Sequence, residues 1–321
     1  MKFGIHLMPF ETPFPTLLED AREGARLGYD SVWLGENHSS PASYPSPLLP
    51  LAWFSGALER PSFGTSVLAL PMYHPVRLAE EAALLDILSG GRLVLGVGLG
   101  GTKFREEYGA YGLDPKGRLP RAREQLQVMR ALWSGETLQH HGQFYDLTGA
   151  HLAFPPVQRG GPPIWIGGRT AIGARFAAEG DAFLLGPSVP IAGLRQLYPI
   201  YDETAARRGA QPKAHPLMRE TTIGLTEEES HRDDAIVTEY FTRSYLKAAS
   251  IRSLHDPDLG RLPENTFIRG DPGRCIDGIE FYRREFAIDH VILRFRFSGM
   301  SDEKVRMKMR LFADKIFPEF R

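Results

Sequence analysis

The amino-acid sequence predicts an α/β fold in which eight strands alternate with helices, as a (βα)8 barrel or a doubly wound sheet. Three observations carry that expectation. Short β-rich runs recur eight times between stretches of helical periodicity. The 321 residues are a length that large α/β barrels reach as one unit, so a single domain over 1–321 is expected. Two longer intervals, 101–163 and 225–270, are richer in Gly, Pro and charge, and read as insertions after strand four and before strand eight.

The elements follow in order. The first strand is expected over 3–7 (FGIHL). Thr16 and Glu19 then stand at capping-box spacing, Leu17, Ala21 and Ala25 line one face of a helix, and Gly28 stops it. Strand two is 31–34 (SVWL) and strand three 63–68 (FGTSVL). Pro75 opens a helix with a stripe of Leu78, Ala82, Leu85 and Leu88, and Gly90 or Gly91 ends it. Strand four is 93–98, and a helix over 119–133 carries Leu126, Met129, Leu132 and Trp133. Strand five is 164–167 (IWIG). Thr170 caps the next helix through Ala174 and Ala177, and strand six is 182–185. Strand seven is 217–224. Asp271-Pro272 opens a helix with Ile276, Ile279 and Phe286 inward. Strand eight is 291–297 (VILRFRF), and a last helix spans 305–316.

Composition narrows the class of function. A formal charge of -1 leaves no basic surface for nucleic acid or anionic lipid. The single cysteine, Cys275, excludes an intrachain disulfide and a cysteine-built zinc site, and fits a reducing compartment. In MKFGIHLMPFETPFP the apolar run is broken by His6, Pro9 and Glu11, so it does not read as a signal peptide. No window approaches the ~18 apolar residues of a membrane helix. A cytoplasmic protein is expected. His140-His141 precedes a hairpin-like GQFYDL and lacks neighbouring acidic or cysteine ligands in the sequence, so no metal site is expected.

The stretch LVLGVGLGG raises a competing reading. Gly96, Gly98 and Gly101 match G-x-G-x-x-G after a strand, the form of a dinucleotide turn. Such a turn must run straight into a helix, with an acidic strand end ~20 residues on. Here Gly109, Gly112, Pro115 and Gly117 interrupt the residues after Gly101, no such acidic end appears, and three strand–helix units come before. The glycines fit better as the bare C-terminal end of a barrel strand, the end where barrel active sites lie.

Four blocks then stand out: HPVRLAEEAALLDILSGGRLVLGVGLGG over 74–101, VWLGENH over 32–38, PPIWIGGRT over 162–170 and DHVILRFRFSGM over 289–300. Together, and in this order, they resemble the bacterial luciferase-like flavin-dependent monooxygenases across nearly the whole chain. The resemblance implies a (βα)8 TIM barrel holding flavin mononucleotide (FMN), or a 5-deazaflavin in some branches. It implies reduced FMN supplied by a separate flavin reductase, and oxygenation of a small organic substrate through a flavin peroxide. The alternatives are deazaflavin-dependent hydride transfer and a non-catalytic flavin-binding protein. A homodimer is among the assemblies it implies.

The resemblance also implies site residues. Luciferases carry two adjacent histidines where this chain has Asn37-His38, so the better-known catalytic histidine matches Asn37. His38 remains a candidate proton donor, and Glu36 reads as buttressing the site. Ser66-Val67 is the place of a non-proline cis peptide beneath the flavin ring. Gly98, Leu99 and Gly100 would clear space beside that ring. Gly167, Gly168, Arg169 and Thr170 would bind the flavin phosphate at a strand-to-helix turn. His6, Met8, Arg294 and Phe295 are candidate pocket residues, with core packing as their other reading. His74 reads as a structural cap. Phe104, Tyr108, Tyr111, Phe144 and Phe154 suggest an apolar cavity or a packed lid, and Lys103 and Arg105 are the basic residues after Gly101.

Overall fold

The computed structural model describes residues 1–10, 12–38, 43–100, 105–210, 215–241 and 267–321, except the side chains at 105, 106, 234, 238 and 241. Gly101, Lys103, Phe104 and the Arg105 side chain therefore lie outside the described residues. The chain begins β1 (Lys2–His6), α1 (Phe14–Leu27), β2 (Ser31–Leu34), α2 (Leu48–Ala57), β3 (Ser62–Thr65) and β4 (Leu68–Ala69). It continues α3 (Pro75–Ser89), β5 (Leu93–Gly98), α4 (Arg105–Ala110), α5 (Arg118–Trp133), β6 (Leu138–His141) and β7 (Asp146–Ala150). Then come β8 (Ile164–Gly167), α6 (Ala171–Ala177), β9 (Ala182–Leu184), α7 (Ile191–Arg207) and β10 (Pro216–Ile223). It closes with α8 (Glu227–His231), α9 (Asp234–Phe241), β11 (Ile268–Gly270), α10 (Pro272–Phe286), β12 (His290–Arg294) and α11 (Asp302–Phe320).

The wall runs β10-β12-β1-β2-β3-β5-β8-β9 with every pairing parallel. Met218 N–H donates to Leu185 O at 2.9 Å, which brings the end of β9 back to β10. Eight parallel strands thus curl into the expected barrel, not a doubly wound sheet. β6 and β7 form the expected antiparallel hairpin inside the first insertion, and β11 pairs with the end of β10. Among the described residues no helix is long and apolar enough to cross a membrane.

Local chemistry explains most boundaries. Gly28 and Gly90 end α1 and α3 in the left-handed conformation, where a side chain would be strained. Thr170, Asp271 and Ser301 cap α6, α10 and α11 through their side-chain oxygens. Several expectations need correction. α1 starts at Phe14 after Pro13, without a side-chain cap, so Thr16 and Glu19 form no capping box. Leu88 is 61% exposed, off the buried stripe of α3. Ile276 is only half-buried. Strand eight ends at Arg294, three residues early. Helices α2, α4, α7, α8 and α9 were not expected. α2 has apolar residues on every side and Pro50 inside, so it shows no stripe, and α7 holds Gly193 and an exposed Pro199.

The barrel interior is packed in layers. At its N-terminal end Trp33 and Trp165 stack with ring centroids 4.9 Å apart, surrounded by Met218, Ile292, Ala182 and Leu184. Glycines on adjacent strands make this fit. A Cβ at Gly64 would stand 2.2 Å from the Trp33 ring, and one at Gly4 2.3 Å from Ser31 Oγ. Trp33 Nε1–H donates to Ser31 Oγ at 2.7 Å, and Ser31 Oγ lies 2.8 Å from His290 Nε2. Burial and then Lys2 push His290 down to about 3, so its ring is neutral. Ser31 Oγ thus ties the Trp33 indole to the His290 ring.

Candidate active site

The C-terminal mouth differs in kind. His6 ends β1, Arg294 ends β12 and Glu220 lies late in β10, so alternation turns all three inward. Arg294 Nη1 donates to Glu220 Oε1 at 2.8 Å and to Tyr240 Oη of α9 at 2.7 Å. Arg294 Nε faces His6 Nδ1 at 3.4 Å. Burial first, and then Arg294, holds the His6 ring well below its ordinary range. His6 Nε2 is buried with no hydrogen-bond partner among the described residues.

Across the mouth, Glu36 organises a second cluster. Its Oε2 accepts the Ala69 amide at 2.6 Å, and its Oε1 accepts Tyr73 Oη–H at 3.0 Å and lies 2.7 Å from His38 Nε2. The other imidazole nitrogen, Nδ1, lies 2.9 Å from Tyr111 Oη. The hydrogen bond to Glu36 raises His38 above its ordinary value, against a smaller opposing effect of burial. Burial and the same carboxylate push the Tyr73 hydroxyl up. Asn37 is half-buried beside this cluster, its backbone N–H donating to Tyr44 O at 3.0 Å.

The Ser66–Val67 peptide is cis, dividing the expected third strand into β3 and β4. Ser66 Oγ is buried and lacks a partner among the described residues. The glycines around it have a clear steric purpose. A Cβ at Gly96 would stand 1.8 Å from Thr65 O. Cβ atoms at Gly98 and Gly167 would each stand 2.9 Å from the Val67 side chain. The bare end of β5 therefore receives the β3–β4 backbone and Val67, which corrects the expectation that Gly98 clears room for a ring directly. Gly100 has a positive φ of 68°, and Leu99 O accepts Tyr108 Oη–H at 3.1 Å.

At the turn after β8, Thr170 Oγ1 accepts the Gly173 amide at 3.2 Å. Gly168 packs on α6, where a Cβ would meet Gly173 Cα at 3.1 Å. Arg169 Nη1 lies 3.4 Å from Ser188 Oγ. Met8 is buried, and Phe295 packs against Phe312 and Tyr29 in the outer core, not the mouth. His74 precedes α3 with no side-chain cap bond, and its ring meets Tyr145 edge-on. Tyr111 reaches His38, whereas Tyr108 is buried, Phe144 covers Arg121 and Phe154 is exposed. His140 faces Glu124 and His141 faces Asp146, correcting the expected lack of acidic neighbours. The two pairs stay separate, and no cluster of three metal-ligating groups exists among the described residues. A cleft of about 610 Å³ lined by Arg130, Trp133, Gln158 and Asp181 opens beside the starts of β8 and β9, the opposite end from this mouth.

Sequence reasoning did not find Glu220, Tyr240 or Tyr73, and it read Tyr111 only as a cavity or lid residue, not as the partner of His38. Glu220 alone left a trace, as a charge inside the otherwise apolar and hydroxylated β10 run PLMRETTI.

The sequence profile of the luciferase-like monooxygenases matches residues 1–307. The chain belongs to the luciferase-like monooxygenase family. It is 31% identical over 167 residues to the oxygenase component of a flavin-dependent trigonelline monooxygenase from Acinetobacter baylyi, covering 52% of this chain and 46% of that one. The chain thus spans about half the length of that relative. It is 27% identical over 315 residues to an F420-dependent glucose-6-phosphate dehydrogenase from Microbacterium testaceum, covering 92% and 90%. The oxygenating constituent of 3,6-diketocamphane monooxygenase from Pseudomonas putida, solved with FMN, superposes with a TM-score of 0.85 at 20% identity, covering 100% and 99%. At that identity the likeness shows a shared fold. The luciferase-like family thus spans flavin monooxygenases and F420-dependent oxidoreductases.

Proposed function

We propose that this luciferase-like chain is the oxygenase component of a two-component monooxygenase, receiving reduced FMN from a separate reductase and oxygenating a small organic substrate with dioxygen. The observation that carries this is the pair of buried polar atoms without described partners at the mouth, His6 Nε2 and Ser66 Oγ. A Cβ at Gly35 would stand 3.3 Å from His6 Nε2 and 3.2 Å from Ser66 O, so the bare Gly35 backbone passes close to both residues. Buried polar atoms are ordinarily paired, and a flat heterocycle with polar edges would satisfy both. The residues fit a flavin.

Bound reduced FMN would supply the electrons that activate dioxygen. The chain's own residues would hold it and manage protons. His6, Ser66, Val67, Gly98, Leu99, Gly100 and Gly167 would border the ring. Arg169, with Gly168, Thr170 and the neighbouring Ser188, would hold the phosphate: Thr170 Oγ1 accepts from Gly173 and keeps its own hydrogen to donate. His38, tied to Glu36, would hold a proton at Nδ1 and exchange it through the exposed Tyr111 hydroxyl. Asn37 would offer a neutral amide at the luciferase histidine position.

The test mixes purified protein with photoreduced FMN in air. Bound reduced FMN and hydrogen peroxide release slower than from free flavin are expected; the absence of both overturns the proposal. A second reading, hydride transfer with coenzyme F420, is favoured by the near full-length match to the F420-dependent relative. Parallel titrations with reduced FMN and F420 separate the two by which binds more tightly.

A further inference from the structure

The mouth holds a buried histidine whose tautomer is dictated by its neighbour. Arginine carries only donors and stays protonated, so the group facing Arg294 Nε must accept. That group is His6 Nδ1, at 3.4 Å. Arg294 is itself held by Glu220, with both side chains almost completely buried. Tyr240 Oη, at 2.7 Å from Nη1, holds the same guanidinium from α9. The ring proton of a neutral His6 then belongs on Nε2. That nitrogen is the one without a described partner, and it faces Gly35, where a Cβ would stand 3.3 Å away.

We propose that Arg294, positioned by Glu220, commits His6 to the Nε2–H tautomer and so makes it a preset donor to an acceptor oxygen or nitrogen of the bound ligand. The identity of that ligand as FMN rests on the function proposed above; the tautomer does not. Arg294 and Glu220 are positioning residues, and His6 is the group that touches the ligand. A preset donor does not reorganise when the ligand arrives, and its acceptor partner is selected before binding. A ligand atom that can only donate would leave two hydrogens opposed at this point.

Nitrogen NMR of uniformly labelled protein reads the tautomer directly, with the His6 signals assigned by their loss in His6→Gln. The ligand-free wild type is expected to show His6 with Nε2 protonated and Nδ1 bare. Arg294→Lys keeps the charge beside Glu220 but removes the Nε donor, and is expected to yield a mixture of tautomers. Tyr240→Phe removes a different bond to Arg294 and is expected to leave the Nε2–H form intact. FMN should shift the His6 Nε2 signal. His6→Gln, whose amide nitrogen can take the place of Nε2, should bind FMN within about threefold of wild type, whereas His6→Asn should lose about tenfold. An Nδ1–H ring in the wild type, an unchanged tautomer in Arg294→Lys, or equal losses for His6→Gln and His6→Asn overturns the proposal. Absence of FMN binding by the wild type counts against the flavin reading alone, because the free-protein tautomer decides the His6 assignment by itself.

Discussion

The two ends of this barrel bury polar groups in opposite ways. At the N-terminal end His290, Ser31 and Trp33 satisfy one another and close around stacked indoles. At the C-terminal end His6 and Ser66 are each buried with a polar atom that has no partner among the described residues, and Glu36 and Glu220 hold other side chains in place. A buried donor or acceptor without a partner costs about 1–3 kcal/mol, so the mouth gives up stability that the plug keeps. The contrast separates stability from function along one axis, as barrels of this kind generally do.

The largest expected effect tests the plug. Trp33→Ala removes a fully buried ring between Gly4, Gly64 and Trp165, and should cost about 3–5 kcal/mol in urea unfolding. A loss under about 1 kcal/mol would show that this end does not carry the barrel. Next comes Glu36→Gln at the mouth. It should lower kcat with reduced FMN by about 100-fold, since His38 loses its charge-assisted partner, while unfolding shifts less than in Trp33→Ala. Unchanged kcat would remove His38 and Glu36 from the chemistry.

The third prediction sets the histidines against each other by pH. His290 is held near 3 in the fold against 6.5 when unfolded, so it contributes stability above pH 6.5 that is lost as the pH falls toward 3. His6, also depressed, acts with the same sign. His38 is raised, so its contribution is full below pH 6.5 and is lost as the pH climbs through its folded value. Urea midpoints across pH 4–9 should therefore fall at both extremes. His290→Gln should flatten the acid limb and His38→Gln the alkaline one; the reverse assignment would refute the contrast. The smallest effect lies outside both ends. The exposed His141–Asp146 pair on the hairpin should give under about 0.5 kcal/mol on His141→Ala.

Much of the frame was legible in order along the chain, because strand runs, glycine stops and capping residues act over a few positions. Strands β2, β5 and β8 begin and end where their residues predict. Glu36 and His38 were each legible as site residues, but their bond to one another emerged only in the structure. Helices α2 and α7 were not legible, since α2 is apolar all round with no stripe to mark it, and α7 carries Pro199 in its interior. The glycines of LVLGVGLGG marked a strand end bare of side chains, but not that Thr65 O and Val67 fill it.

By itself, then, the sequence determined the alternation of elements, the barrel class and the resemblance to a family. Tertiary structure alone decided which buried groups meet. His6 and Arg294 stand 288 residues apart and become neighbours only because a closed sheet places β1 beside β12. Glu220 joins them through β10, and Tyr111 reaches His38 from an insertion. Pairing across a closed barrel follows strand register, a property of the whole wall and of no single segment.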